Sequence, residues 1–211
     1  MNTNDTLTEP TIETAEPSKK FKVIYADPPW DIQQKGARGA VQHYDLMTLD
    51  RIKDMPIADL ADDNATLLLW VTNGALPAGL EVMKAWGFEY RTNAAWDKYY
   101  MGLGLYFRGS HELLLHGTRG KAPFKFRGQR STLQFPRQEH SRKPEEMIPL
   151  IERVLPDGPY LELFARQRPN SHRDWSVWGN EIESDIVIPG YPVPSDFTRD
   201  HIGTLSGEQE R

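Results

Sequence analysis

The run "ATLLLWV", Ala65 to Val71, limits the possible folds more than any other stretch of this chain. Its apolar residues do not alternate with polar ones, so a strand made from it must be covered on both faces. That happens where helices pack on both sides of a mainly parallel sheet, and the flanking sequence supplies them. "TLDRIKDM" and "IADLA" read as helical turns interrupted at Pro56, and "PAGLEVMKAWG" reads as a helix with Gly87 at the place of a left-handed cap. Further strand candidates are "FKVIYA", Tyr90 to Trp96, "HELLLHG" and "YLELFA", the last following the turn "PDG". The helix "KPEEMIPLIERVL" precedes that turn. Pro144 suits its start, while Pro149 demands a kink or a later beginning. Strands alternating with helices imply an α/β fold with a mostly parallel sheet and helices on both faces. In such a sheet the ligand site lies at the carboxyl ends of the strands.

The 211 residues are enough for one sizeable core. We expect a single domain over residues 21–183, with a polar N-terminal tail over 1–20 and a C-terminal tail over 184–211. No run is apolar enough to span a bilayer and the N-terminus lacks a signal-peptide layout, so a cytoplasmic protein with no membrane partner is expected. The chain has no cysteine, which removes disulfides, thiolate zinc sites and cysteine nucleophiles together. His43 and His111 lack partners at metal-ligand spacing and read as structural, so no metal site is expected.

The tetrapeptide "DPPW", Asp27 to Trp30, begins where the strand "VIYA" stops. A turn needs only one proline, and chance produces this tetrapeptide in roughly one chain in three thousand of this length. Pro28 and Pro29 each fix φ and donate nothing, leaving a stiff loop with carbonyl acceptors. The Asp27 carboxylate and a proline carbonyl can each take one hydrogen of an exocyclic amine, and Trp30 offers a flat face to a base. The strand "YLELFARQRPN" also ends in polar residues. Glu162 near its end suits ribose hydroxyls, and Arg166 and Asn180 suit the amino-acid or ribose part of a ligand.

These residues resemble the DPPW-type adenine-N6 methyltransferases related to the catalytic subunit of the messenger-RNA N6-adenosine methyltransferase complex, a family with bacterial and phage members. Besides "DPPW", the resemblance is carried by His43, Tyr44 and Met47, "LLLWVTN", "WGFEY", "HELLL", "HSRKPEE", "LELFAR" and "WGNE", and it covers roughly residues 21 to 183. It implies a Rossmann-like class I methyltransferase fold in permuted order, with the catalytic strand ahead of the cofactor strand, and S-adenosylmethionine as cofactor. Asp27, Pro28, Pro29 and Trp30 would be catalytic. Asp27, Lys143, Glu162, Leu163, Phe164, Arg166 and Asn180 would line the cofactor pocket, with "LFAR" standing where many methyltransferases carry a glycine-rich loop.

The segment from Arg119 to Lys143 is rich in lysine and arginine, carries one acid, Glu139, and has phenylalanines interleaved. It reads either as a nucleic-acid contact, with Lys125, Arg127 and Arg130 as substrate-binding residues, or as a solvated loop. Residues 31–47 read as a mobile lid, with Tyr44 either beside the target base or simply packed. "GLG" at Gly102 to Gly104 is weak support for phosphate binding, and Glu112 is either part of the site rim or a partly buried strand residue. The expected activity is methyl transfer to N6 of adenine in nucleic acid, DNA ahead of RNA, by a monomer or homodimer. The alternatives are a catalytically silent nucleic-acid-binding subunit, or an amino-methyltransferase acting on cytosine N4 or a free nucleoside.

Overall fold

The computed structural model describes residues 19–31, 46–102, 104, 106–136 and 142–197. Tyr44 and most of the expected lid lie outside these residues, as do His43, Glu139 and both chain ends. Among the described residues the chain runs β1 (Phe21–Ala26), α1 (Leu49–Lys53), α2 (Ile57–Leu60), β2 (Ala61–Val71), α3 (Leu76–Ala85), β3 (Glu89–Asp97), β4 (His111–Arg119), β5 (Thr132–Leu133), α4 (Met147–Val154), β6 (Tyr160–Leu163) and β7 (Trp175–Trp178). The strands form one sheet in the order β5-β3-β4-β2-β1-β6-β7. β4 is antiparallel to both neighbours, and every other pairing is parallel. The sheet is therefore mostly parallel, as the sequence implied.

The apolar run of β2 occupies the centre of this sheet, and its side chains feed two separate cores. Leu67, Leu69 and Val71 join Ile24, Ala26 and Leu161 against the side carrying α1 and α3. Leu68 and Trp70 join Val23, Tyr25 and Tyr160 against Met147, Ile151 and Val154 of α4. A continuous apolar strand is thus required because each alternate residue has its own helix layer to fill. Three large indoles enter these cores with their N–H groups satisfied, Trp70 donating to the Tyr25 hydroxyl at 2.7 Å, and Trp86 to the Ile52 carbonyl and Trp96 to the Phe135 carbonyl, both at 2.8 Å, whereas the buried N–H of Trp178 has no acceptor among the described residues. Without those acceptors each burial would carry a desolvation penalty of about 1–3 kcal/mol.

Helix ends follow local chemistry. The Thr48 hydroxyl caps α1 by accepting from the Arg51 amide. After α3 the Gly87 amide donates to the Lys84 carbonyl and the Phe88 amide to the Met83 carbonyl, a Schellman closure with Gly87 at φ 80°. α4 begins at Met147, later than "KPEEM" suggested, so Pro149 falls in its first turn, where no intrahelical amide is needed. Pro144 instead precedes the helix, and its carbonyl accepts from the Met147 amide.

The C-terminal boundary differs from the tail expected over 184–211. Ile188, Tyr191 and Val193 are buried in the core beside α1. The Tyr191 hydroxyl donates to the Arg51 carbonyl at 2.8 Å, while the Arg51 guanidinium donates to the Gly190 carbonyl and lies over the Tyr191 ring. A few large side chains suffice to dock a segment whose average composition is polar.

Candidate active site

The carboxyl ends of β1 and β6 lie side by side, with Tyr25 paired to Glu162 and Ala26 to Leu163. From β1 the chain continues to β2 on one flank, and from β6 to β7 on the other. Reversal of strand order at this point leaves a crevice above the two strand ends. A cleft with about 740 Å³ of empty space, including the part open to solvent, occupies it. Tyr25, Asp27, Lys143, Glu162, Phe164 and Arg166 line its floor and walls, together with Leu163 and residues from the 142–148 and 167–170 segments. The structure therefore brings the two polar strand ends to one site.

The loop after β1 is held more tightly than its sequence suggested. The Trp30 amide donates to the Pro28 carbonyl at 2.9 Å, and the Met47 amide to the Pro29 carbonyl at 3.0 Å. Neither proline carbonyl is a wholly free acceptor, contrary to the reading from sequence. The loop closes on itself and then pairs with Met47, which uses one lone pair on each oxygen and leaves the second. The indole N–H of Trp30 donates to the Trp70 carbonyl at 3.1 Å, fixing the half-buried ring against the end of β2.

Behind this loop runs a chain of alternating charges. Asp27 Oδ2 accepts from Lys143 Nζ at 2.6 Å, and the same ammonium lies 3.3 Å from Glu112 Oε2. Glu112 is also paired with Lys98, so four side chains from β1, β3–β4 and the segment before α4 form one network. Lys143 lies over the Trp70 ring at 5.6 Å. Burial works to raise the Glu112 carboxyl, but the ammonium groups of Lys143 and Lys98 outweigh it and hold that carboxyl below the usual range. Burial works to lower Lys143, and Asp27 and Glu112 reverse that, keeping it protonated. At Asp27 burial pushes upward while Lys143 pulls downward, and burial prevails, leaving that carboxyl above its usual range. Four mutually paired ions hold their geometry far better than one exposed pair would.

Glu162 lies outside that network. Burial first, and the negative Asp27 second, push its carboxyl up to about 8. The folded protein consequently keeps a proton that the unfolded chain would release near the ordinary value of 4.5. Between those values the folded state binds more protons, so stability falls as pH rises, and the loss is complete above about pH 8. Across that window the cost amounts to at most about 5 kcal/mol, less what solvent at the cleft mouth screens. Glu162→Gln should remove this dependence. Its melting temperature should rise relative to that of the unaltered protein as the buffer goes from about pH 5 to about pH 8.5. Parallel melting curves across the range would show that Glu162 titrates normally.

The donor set suits a small cationic ligand with hydroxyl and carboxylate groups. The carboxyls of Asp27 and Glu162 are close enough to repel one another, and Arg166 and Asn170 line the same cleft. Phe164 adopts φ 62° directly after β6 and packs edge-on against Trp178 at 5.3 Å, so a strained aromatic shapes the wall where glycine is the easier choice. Asn180 lies beyond the end of β7 in an exposed turn and does not line the cleft. Lys125, Arg127 and Arg130 are exposed and do not line it either. The Lys125 amide donates to the carbonyl of Val154 and its ammonium pairs with Asp157 at 3.6 Å, at the amino edge where β6 begins. Lys98 had no signal in the sequence: only the β3–β4 hairpin brings it to Glu112.

A family model described as MT-A70 matches residues 21–181. A Type II methyltransferase, M.MunI, from a Mycoplasma species is 32% identical over 82% of this chain and 83% of its own length. An N(6)-adenosine-methyltransferase MT-A70-like protein from Arabidopsis thaliana is 31% identical over 80% of this chain. The human N(6)-adenosine-methyltransferase catalytic subunit METTL3 is 30% identical over 78%. This chain spans only about a quarter of the length of the plant and human proteins.

Proposed function

Because the chain belongs to the MT-A70 methyltransferase family, we propose that it transfers a methyl group from S-adenosylmethionine to N6 of adenine in nucleic acid, DNA ahead of RNA. The observation that carries the reading is Asp27, which stands at the wall of the cleft and is tied to Lys143 at 2.6 Å. Similarity along nearly the whole length of a Type II methyltransferase favours DNA.

In this reading Glu162, Leu163, Phe164 and Arg166 hold the cofactor against the end of β6, Lys143 adds a cationic wall, and Asn180 reaches the cofactor only if its turn folds inward. S-adenosylmethionine supplies a methyl group on a positively charged sulfur that departs as a neutral thioether. The Asp27 carboxylate accepts one N6 hydrogen and the remaining lone pair of the Pro28 carbonyl accepts the other. Holding both hydrogens draws the nitrogen lone pair out of the ring and aims it at the methyl carbon. With the methyl donor bound, the nitrogen would form its new bond as the carbon–sulfur bond breaks, and the methylated amine would then lose a proton to water past Asp27. Trp30, fixed by the Trp70 carbonyl, limits the tilt of the base. Tyr44 is assigned to the target base. Lys125, Arg127 and Arg130 add sequence-independent attraction for phosphate from outside the cleft, and salt titration of oligonucleotide affinity on the Arg127→Gln/Arg130→Gln protein checks that role.

The deciding experiment is methylation of matched DNA and RNA oligonucleotides, single- and double-stranded, with mass-spectrometric identification of the product nucleoside. N6-methyladenine, strongest in unpaired DNA, is expected, because N6 inside a duplex is out of reach until the base leaves the stack. N4-methylcytosine, methylation of free nucleosides alone, or bound cofactor with no product would each overturn the assignment.

A further inference from the structure

Strands β3 and β4 run in opposite directions, so the loop joining them starts and ends at the carboxyl edge, beside the cleft. Its stem is fixed. The Lys98 amide donates to the Ser110 carbonyl at 2.8 Å and the Gly102 amide to the Gly109 carbonyl at 2.7 Å. The Tyr99 amide donates to Asp97 Oδ1 at 2.9 Å, with Tyr99 held at φ 63°. At the tip Gly104 approaches Phe107 so closely that a Cβ would fall 1.9 Å from the Phe107 carbonyl oxygen. The loop thus folds onto itself and holds its large side chains away from the protein: Tyr100 is 71% exposed, Met101 76%, and Tyr106 and Phe107 92% each. A strained, hydrogen-bonded turn that displays aromatic rings to water is costly for a surface with no occupant.

The surroundings identify the occupant. Residues 98–110 contain Lys98 and Arg108 and no acid, in a chain of net charge -5. Lys98 at the root pairs with Glu112, which bonds Lys143 and through it Asp27. We propose that Tyr106 and Phe107 stack on the unpaired bases flanking the target adenine, with Arg108 meeting the adjoining phosphate. The inference rests on the nucleic-acid reading above and assigns that substrate its contact surface. A base drawn out of its stack leaves neighbours without a partner face, and an aromatic ring supplies one to any base. Sequence preference therefore has to come from elsewhere on the carboxyl edge.

The test uses the full chain with Tyr106→Ala/Phe107→Ala, and Tyr106→Trp/Phe107→Trp as the conservative pair. Fluorescence anisotropy with a labelled single-stranded oligodeoxynucleotide pool of random sequence is read beside kcat, KM, cofactor calorimetry and sedimentation velocity. The alanine pair is expected to weaken oligonucleotide binding about tenfold or more and to raise KM in step. Saturated kcat, cofactor affinity and melting temperature stay as they were, and the tryptophan pair restores binding. Unchanged oligonucleotide affinity in an active protein would overturn this inference alone, and loss of a dimer without loss of affinity would assign the rings to a second copy instead. Absence of methylation on any oligonucleotide by the unaltered protein would overturn the proposed function, whatever the rings do.

Discussion

Asp27→Asn lowers kcat for methyl transfer by about a thousandfold while cofactor affinity changes by less than about tenfold. The amide has nearly the shape of the carboxylate, so the cleft keeps its form. It lacks the charge that draws on the amine hydrogens, and its own NH2 either opposes them or faces the Lys143 ammonium. Lys143 still has Glu112 at 3.3 Å, which keeps the cation in place without its Asp27 partner at 2.6 Å. The loss should therefore fall on the chemical step. Isothermal calorimetry and a labelled-methyl assay on one preparation separate the two quantities. Turnover within tenfold of the unaltered enzyme would remove Asp27 from the chemistry.

Gly179→Ala should damage cofactor binding and stability together. A Cβ at position 179 would lie 2.1 Å from the Ala165 carbonyl oxygen and 2.8 Å from its amide nitrogen, both backbone atoms that no rotamer change can move aside. Close approach of the chain after β7 to the chain after β6 is what sets Leu163, Phe164 and Arg166 around the cleft, and the Ala165 amide donates to the Trp178 carbonyl at 2.9 Å across the same contact. Forcing these segments apart costs about 3 kcal/mol, which in a chain of this size lowers Tm by roughly 6–12 °C. Cofactor affinity should fall at least tenfold at temperatures where the variant is still folded. Gly74→Ala is the control, because nothing lies within 4 Å of the added carbon there. A Gly179→Ala protein that melts and binds like the Gly74→Ala control would show that the approach does not shape the cleft.

How far the sequence reached depended on the range of the interaction involved. β2 was legible because covering both faces of a strand leaves a mark in every residue, and the α3 closure because Gly87 answers a local backbone need. The placement of Asp27 and Glu162 at one edge followed from two strands that end in acids, once the sheet was taken as parallel. Strand direction leaves no such mark, so the reversal of β4 between β2 and β3 could not be read from its periodicity. Lys98 and Glu112 meet only through that reversal. The basic segment was recognisable as a charge pattern, but Lys125 is anchored to Val154 at the far edge, a placement that composition does not encode. Proline supplied the stiffness of the loop after β1. The amides that already occupy its carbonyls belong to Trp30 and to Met47, the latter far along the chain.

The reversed β4 also bears on how freely the rim beside the cleft can vary in length. A parallel neighbour would have required a crossover helix between β3 and β4, and any alteration there would have disturbed the packing of a layer. A hairpin has no such obligation, and its stem here is closed by the Lys98–Ser110 and Gly102–Gly109 bonds. Doubling the length of a flexible loop beyond that stem costs only about 0.6 kcal/mol of closure entropy. The 98–110 loop can thus change length between Gly102 and Gly109 while the pairing of the seven strands beneath it stays unaltered.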